Sequence, residues 1–137
     1  MCGISGFHSG QESAQLAVNK MLLKTTHRGP DAINSRFFSQ DNLCFGHNRL
    51  SILDLESRSN QPFEFNGLTM VYNGEVYNYK ELRVELEVKG YKFETTSDTE
   101  VVIKAFHYWG FDCFDKFNGM WALAIYNSIT KKIILSR

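Results

Sequence analysis

The sequence of 137 residues predicts an α+β protein in which helices pack on antiparallel strands. The first observation behind this prediction is that short apolar strands are separated by helices along the chain. The second is the C-terminal pair MWALAIYN and KKIILSR, two apolar strands around a short turn that favour an antiparallel hairpin. The third is the absence of repeats and low-complexity segments, so we expect one domain. Strands separated by helices, with hairpins at the ends, indicate either a general α+β fold or a layered α/β/β/α arrangement.

The first half of the chain is predicted to form a strand, a helix and two more strands. The segment ISGFHS is a short strand, and a helix follows from about Gln11 to Thr26. Gly29 and Pro30 end this helix, because they interrupt regular structure. SRFFS and LCFGHNRLSILDL are the next strands, joined by the polar turn QDN. The apolar side of the helix is assigned to Leu16, Met21, Leu22 and Leu23.

The second half is predicted to alternate strands with two helices. LTMVYN and YKFET are short strands. Between them, the spacing of Leu82 and Leu86 indicates a helix from Tyr79 to Lys89, with Gly90 as the residue that ends it. The pattern Ser97-Asp-Thr-Glu100 is a capping box and starts the second helix. The apolar face of that helix consists of Val101, Val102, Ala105, Phe106 and Trp109.

The stretch MVYNGEVY permits two interpretations of Asn73 and Gly74. An Asn-Gly pair between alternating apolar residues is a strong signal for a tight hairpin turn. A side-chain amide next to an unhindered glycine N–H is also a suitable pair of donors for a developing oxyanion. Taken alone, the stretch favours the turn, although a turn at a strand end can still present both donors.

Composition and charge narrow the classes of function. Basic and acidic residues number 15 each, and no basic cluster indicates a nucleic-acid or membrane surface. No apolar run approaches the roughly 20 residues that span a bilayer, and the N-terminus lacks the features of a signal peptide. We therefore expect a cytoplasmic protein without nucleic-acid or membrane partners.

The three cysteines form neither a disulfide framework nor a zinc site, because their number is odd and no CxxC spacing occurs. Cys44 and Cys113 are predicted to be buried thiols. Cys2 differs, because removal of the initiator methionine would make it the first residue. Its thiol would then lie beside an α-amine with a pKa of roughly 7.7–8.0, so one residue supplies nucleophile and base. The alternative is a chance cysteine at an exposed terminus.

Six motifs occur in an order that resembles the class II glutamine amidotransferase domains. They are MCGISGF, HRGPD, RLSILDL followed by QPF, VYNGEVYNYKELR, TSDTEVV and FNGMWALAIY. Within this group the sequence is most similar to the N-terminal glutaminase domain of asparagine synthetases and their amidotransferase relatives. The resemblance implies the N-terminal-nucleophile fold, a four-layer α/β/β/α sandwich of two antiparallel sheets between helices.

The resemblance assigns three catalytic residues. Cys2 would attack the side-chain amide of glutamine and form a thioester as ammonia leaves. The side-chain amide of Asn73 and the backbone N–H of Gly74 would hold the oxyanion. In this context the functional interpretation of MVYNGEVY outweighs the turn.

The resemblance also implies substrate-binding positions. Arg49 would bind the α-carboxylate of glutamine, and Leu50 and Ile52 follow it in the same motif. Asp98 would receive the α-ammonium, with Glu75 as a second acid nearby. The alternatives are that Arg49 is a surface charge and that Asp98 only complements the dipole of its helix. HRGPD is placed near the pocket by the resemblance, but a rigid charged turn is an equal alternative.

The function that the resemblance implies is hydrolysis of L-glutamine, with the ammonia passed to an ATP-dependent synthetase domain or subunit that amidates aspartate or a related carboxylate. We expect no cofactor and no metal in this chain, with ATP and Mg²⁺ bound only by that other domain. A homodimer is one assembly that we consider. The last strand ends at the C-terminus with an uncovered edge, so 1–137 is expected to be a partial domain. The alternatives are an inactive fragment that only binds glutamine or a partner chain, and a hydrolase for another amide.

Overall fold

The computed structural model describes residues 2–137. Its strands are β1 (Gly3–His8), β2 (Ala32–Phe38), β3 (Leu43–Arg49), β4 (Phe63–Phe65), β5 (Leu68–Val76), β6 (Gly119–Asn127) and β7 (Lys132–Ser136). Its α-helices are α1 (Ala14–Lys24), α2 (Tyr79–Val88), α3 (Asp98–Trp109) and the single turn α4 (Cys113–Lys116). Within residues 2–137, no helix combines the length and the apolarity that crossing a bilayer requires.

The strands form two antiparallel sheets that face each other. The first has the order β1-β3-β2 and the second the order β4-β5-β6-β7. Leu43 and Phe45 of β3 pack against Val71 of β5 and Tyr126 of β6, which forms the core between the sheets. Helix α1 covers the outer face of the first sheet, and α2 and α3 cover the outer face of the second. The layers are helix, sheet, sheet and helix, which confirms the predicted α/β/β/α sandwich.

Of the four residues predicted for the buried face of helix α1, only Leu22 is buried. Its buried residues are Ala14, Val18 and Leu22, spaced four apart, whereas the predicted Leu16 is 64% exposed. A Cβ on Gly46 would lie 2.6 Å from Cγ1 of Val18, so α1 approaches β3 closely. The prediction was therefore right for Leu22 and wrong for Leu16, Met21 and Leu23, which are exposed. It missed the smaller Ala14 and Val18, which lie one and two turns from Leu22 on the same face of α1.

Two predicted strands are shortened or absent. β3 ends at Arg49, and the LSILDL segment after it is an irregular loop. YKFET is not a strand, because a side chain holds its backbone: the N–H groups of Glu94 and Thr95 donate to the Glu100 carboxylate at 3.1 and 2.7 Å. Glu100 is thus used outside the predicted capping box, although α3 does begin directly after Ser97.

The Asn73-Gly74 pair does not form a turn. β5 runs through both residues, and both are paired with β6. The hairpin turn that precedes β5 is made by Asn66 and Gly67, whose φ angles of 46° and 78° connect β4 to β5. The turn interpretation of MVYNGEVY was therefore wrong.

Several other predictions of local structure are confirmed. α2 begins at Tyr79 as predicted and buries Leu82 and Leu86, and Gly90 follows it with a φ of 92°. The two C-terminal strands form the antiparallel pair β6 and β7. The thiols of Cys44 and Cys113 are free and fully buried.

Candidate active site

A cavity of about 370 Å³ opens where β3, β5, β6 and the start of α3 come together. The eight residues that the sequence assigned to the site all line it: Cys2, Arg49, Leu50, Ile52, Asn73, Gly74, Glu75 and Asp98. They come from the N-terminus, the end of β3 with its following loop, β5, and the first turn of α3. The fold thus gathers separate stretches of chain around one space, while the individual roles remain predictions.

Cys2 lies just before β1 and beside the end of β3. Its Sγ accepts a hydrogen bond from the Leu50 N–H at 3.4 Å and lies 3.7 Å from the Leu50 carbonyl oxygen. The thiol is half-buried and reaches the cavity. The predicted removal of Met1 concerns a residue that lies outside the described range.

The HRGPD motif fastens the N-terminus to the end of β3. Nε of Arg28 donates to the Cys2 carbonyl at 3.0 Å, and the Asp31 carboxylate accepts from the Ser51 N–H at 2.7 Å. A Cβ on Gly29 would lie 2.3 Å from a carbonyl oxygen of β3, so the motif packs directly on that strand. These contacts favour a role in positioning Cys2 over that of an isolated charged turn.

The guanidinium of Arg49 is buried and holds the loop that follows β3. One terminal nitrogen donates to the Glu56 carbonyl at 2.8 Å and to the Asn60 side chain at 2.7 Å. The other donates to the carbonyls of Leu53, at 3.2 Å, and Asp54. A substrate carboxylate would therefore bind the remaining Nε–H or replace some of these loop carbonyls.

One edge of β5 is open beside the cavity, because β4 is too short to cover it. Two side chains take the place of the missing strand. Oε1 of Gln61 accepts from the Tyr72 N–H at 2.6 Å, and Oδ2 of Asp98 accepts from the Val76 N–H at 3.1 Å. The N–H groups of a strand alternate between its two edges, so the Gly74 N–H lies between these two on the open edge. Gly74 is thus placed to donate to a group in the cavity.

Gly74 and Asn73 have different local requirements. A Cβ on Gly74 would lie 2.4 Å from the Met120 carbonyl oxygen and 2.7 Å from Cα of Trp121, so no larger residue fits against β6. Successive side chains of a strand point to opposite faces, so Asn73 shares with Val71 the face that meets the first sheet. The first sheet contains β3, and Cys2 lies beside the end of that strand.

Asp98 and Glu75 supply negative charge on one side of the cavity. The hydroxyl of Tyr72 donates to Oδ2 of Asp98 at 2.7 Å. Burial raises the pKa of Asp98, and hydrogen bonds from Tyr72 and Val76 oppose this rise. Burial and the neighbouring Asp98 also raise the pKa of Glu75. Two acids in a partly desolvated site favour a bound cation.

Asp54 fastens the loop after β3 to the segment before α3. Its Oδ2 accepts from the Thr96 N–H at 2.7 Å and forms an ion pair with Arg58 at 3.1 Å. Burial alone would raise the pKa of Asp54, but hydrogen bonds from Thr96, Arg58 and Glu56 outweigh it and lower the pKa to about 2. This contact holds the loop that carries Ile52, which is largely exposed at the rim of the cavity.

The sequence did not reveal several polar residues that line the cavity, among them His47, Ser59, Gln61 and Tyr72. Burial lowers the pKa of His47 to about 4, so its imidazole is neutral near pH 7. Its ring nitrogens and the Ser59 hydroxyl have no hydrogen-bond partner within residues 2–137. A period-two pattern would have placed His47 on the face of Arg49. Across the same residues, no cluster of three or more metal-ligating side chains occurs.

The two layered sheets and their helices share their fold with a solved structure. The structure matches that of the glutamine phosphoribosylpyrophosphate amidotransferase from B. subtilis, complexed with ADP and GMP, with a TM-score of 0.67. The match covers 93% of this chain and 35% of the other, at 20% sequence identity. At this identity the likeness shows the shared fold alone.

The sequence then specifies the family. Residues 1–137 match the family model described as a glutamine amidotransferase domain, and the chain belongs to this family. The family predicted from the six motifs is thereby confirmed.

Curated relatives show how much of a longer protein this chain matches. It is 40% identical to asparagine synthetase (glutamine-hydrolysing) 1 of Bacillus subtilis strain 168 over 93% of its length. It is 35% identical to asparagine synthetase (glutamine-hydrolysing) 3 of the same organism over its whole length. The chain spans only 21% and 23% of these two relatives.

Proposed function

We propose that this chain is the glutaminase half of an asparagine synthetase-like amidotransferase, which hydrolyses L-glutamine to glutamate and ammonia. The observation that carries the proposal is the composition of one cavity, which a thiol (Cys2), two oxyanion donors (Asn73 and Gly74) and opposite charges (Arg49 and Asp98) all line. Free glutamine presents a carboxamide, an α-carboxylate and an α-ammonium. Each of these groups has a chemically matched partner in the cavity.

The reaction begins with attack of the Cys2 thiol on the carboxamide carbon, which forms the C–S bond and a tetrahedral oxyanion. The Asn73 amide and the Gly74 N–H donate to this oxyanion. The α-amine that Cys2 gains when Met1 is removed accepts the thiol proton during this attack. The C–N bond then breaks, and the leaving nitrogen takes that proton from the α-ammonium and departs as ammonia. Water hydrolyses the thioester, which releases glutamate and restores the thiol.

The open edge of β5 supports the oxyanion role. The flanking N–H groups of Tyr72 and Val76 are occupied by side chains, at 2.6 and 3.1 Å. The Gly74 N–H therefore lies at an edge where it need not leave a strand partner to meet a substrate. A donor held rigidly before the reaction costs no reorganisation when charge develops, which is the basis of its effect on rate.

The charges support selection of a free amino acid. Asp98 and Glu75 lie on the side of α3 and β5, and Arg49 lies on β3. A zwitterion is matched by this separation of charge, whereas a neutral amide gains nothing from it. Because the Arg49 guanidinium also holds the loop after β3, binding of the carboxylate involves the contacts of that loop.

The fate of the ammonia is proposed from the relatives. Both Bacillus subtilis relatives are named as glutamine-hydrolysing asparagine synthetases, and this chain matches about a fifth of each. We place the acceptor reaction, amidation of aspartate or a related carboxylate with ATP and Mg²⁺, in a separate synthetase domain or subunit.

Glutamate release by the intact polypeptide tests the proposal, once intact mass has shown loss of Met1. Cys2→Ala removes the nucleophile, and we expect glutaminase activity to fall at least about 1,000-fold. Cys44→Ala is the matched control, because it removes a thiol that packs under α1, away from the cavity, and should leave the activity unchanged. Unaltered turnover in Cys2→Ala would contradict the proposal.

A covalent probe separates an enzyme from a domain that only binds. An electrophilic glutamine analogue should add once to the processed protein, and Cys2→Ala should prevent the adduct. A protein that binds glutamine with neither adduct nor glutamate release would instead be an inactive binding domain.

A further inference from the structure

We propose that Tyr72 is a positioning residue for substrate: its hydroxyl holds the Asp98 carboxylate in the orientation that receives the α-ammonium of glutamine. The inference rests on the proposed function and adds a residue to which that function assigns no role. It is carried by the hydrogen bonds that converge on Asp98.

Two hydrogen bonds from β5 fix Oδ2 of Asp98. Oδ2 accepts from the Tyr72 hydroxyl at 2.7 Å and from the Val76 N–H at 3.1 Å. These two donors approach from the same strand and saturate one side of the carboxylate. The backbone N–H groups of Asp98 and Thr99 also act on the carboxylate and lower its pKa. The carboxylate that these donors hold lines the cavity in which an ammonium group would bind.

Tyr72 is itself held firmly. Its side chain is 2% exposed and belongs to the core between the second sheet and its helices. Its backbone N–H donates to Oε1 of Gln61 at 2.6 Å, and Nε2 of Gln61 donates to the Thr99 hydroxyl at 3.4 Å. The ring therefore has little freedom, and the carboxylate that it holds shares this restriction.

The direction of the hydrogen bond is fixed by protonation. Burial and the Asp98 charge raise the pKa of Tyr72, so its hydroxyl keeps the proton and acts as the donor. A donor stabilises the ionised form of Asp98, which is the form that binds a cation. Without the Tyr72 hydroxyl, the pKa of Asp98 would rise further, because one hydrogen bond that opposes the effect of burial would be lost. A larger fraction of Asp98 would then be protonated in mild acid.

Several other titratable groups line the same cavity as Asp98. On β5 these are Tyr72 and Glu75, and on β3 they are Arg49 and His47. Cys2 faces the same cavity from the N-terminus. On α3 itself, Glu100 is paired with Lys104 at 2.5 Å and is directed away by that contact.

Tyr72→Phe tests the inference, because it removes only the hydroxyl. In the intact polypeptide we expect KM for glutamine to rise about 10- to 100-fold while kcat changes by less than about twofold, since a hydrogen bond to a charged group is lost from binding. The acid limb of kcat/KM should also move to higher pH. The shift should persist when Glu75→Gln is added, which assigns it to Asp98.

Tyr126→Phe is the matched control. Tyr126 is also 2% exposed and its hydroxyl also donates to a carboxylate, that of Asp41, but neither residue lines the cavity. This variant should lower the melting temperature by a similar amount without changing KM or the acid limb. A merely structural role for Tyr72 predicts the same outcome for both variants.

The inference about Tyr72 and the proposed function can fail separately. If wild-type protein hydrolyses glutamine and Tyr72→Phe leaves both KM and the acid limb unchanged, the inference is wrong and the proposed function stands. A fall in kcat with unchanged KM would also overturn the inference. If the processed wild-type protein neither binds nor hydrolyses glutamine, the proposed function fails and the inference fails with it.

Discussion

Two of the three Asn-Gly pairs in the chain, Asn66-Gly67 and Asn73-Gly74, have the same sequence and different structures. Asn66 and Gly67 form the tight turn between β4 and β5, with φ angles of 46° and 78°. Asn73 and Gly74 lie within β5 itself, beside the candidate active site. The first pair reverses the chain, and the second keeps it extended.

The difference lies in what the flanking residues pair with. The segments on either side of Asn66-Gly67 pair with each other, so the chain must reverse between them. The segments on either side of Asn73-Gly74 both pair with β6. The dipeptide thus permits a turn without imposing one, and the long-range partner decides.

The largest effect is expected for Gly74→Ala. The new Cβ would lie 2.4 Å from the backbone of β6, so the strands must separate where the oxyanion donors are held. Loss and displacement of these donors should lower glutaminase kcat/KM about 1,000-fold or more. Steady-state kinetics with a melting curve measure this, and a drop in activity below tenfold in a folded variant would contradict it.

Asn73→Ala should have the next largest effect. It removes one of the two proposed donors and keeps the strand, so kcat should fall about 10²–10³-fold with little change in melting temperature. Asn66→Ala is the paired control, since the Asn66 amide contacts His107 at the surface, 3.4 Å away. Equal activities of the two variants would remove the functional distinction between the pairs.

Gly67→Ala should affect stability and spare activity. Its Cβ would lie 3.3 Å from Cδ1 of Ile129 and 3.4 Å from Oγ of Ser128, and the φ of 78° is unfavourable for alanine. We expect a loss of roughly 1–2 kcal/mol in the free energy of unfolding, measured by denaturant titration. Full activity in the folded variant would complete the contrast with Gly74→Ala.

The smallest expected effect is a loss of local stability at acid pH. The folded pKa of Asp54 is about 2, below the ordinary value of roughly 3.9. The stabilisation from its contact with Thr96 is therefore fully present above about pH 4 and is lost as pH falls towards 2. Hydrogen exchange should show protection of the Thr96 amide, which Asp54 binds, declining over this range. Asp54→Asn should lack the dependence, and the Asn66-Gly67 turn should not show it.

The sequence predicted more of the site than of the local structure. Cys2 and the Asn73-Gly74 pair were identified because their motifs occur in order, and all line the cavity. The prediction of the buried face of α1 was right only for Leu22, because Val18 also packs where Gly46 leaves room, and this contact joins residues far apart in sequence. Tyr72 and Gln61 were missed, because nothing near them in the chain indicates that Asp98 and an open strand edge are their partners.

By itself, the sequence determined the family, the layered fold, the order of most elements and the residues able to do chemistry. These depend on residue type and on local spacing, which a linear chain displays. Only the tertiary structure decided which Asn-Gly pair turns, that the Arg49 guanidinium holds a loop, and that Tyr72 orients Asp98. Those outcomes depend on hydrogen-bond partners that only folding brings within reach.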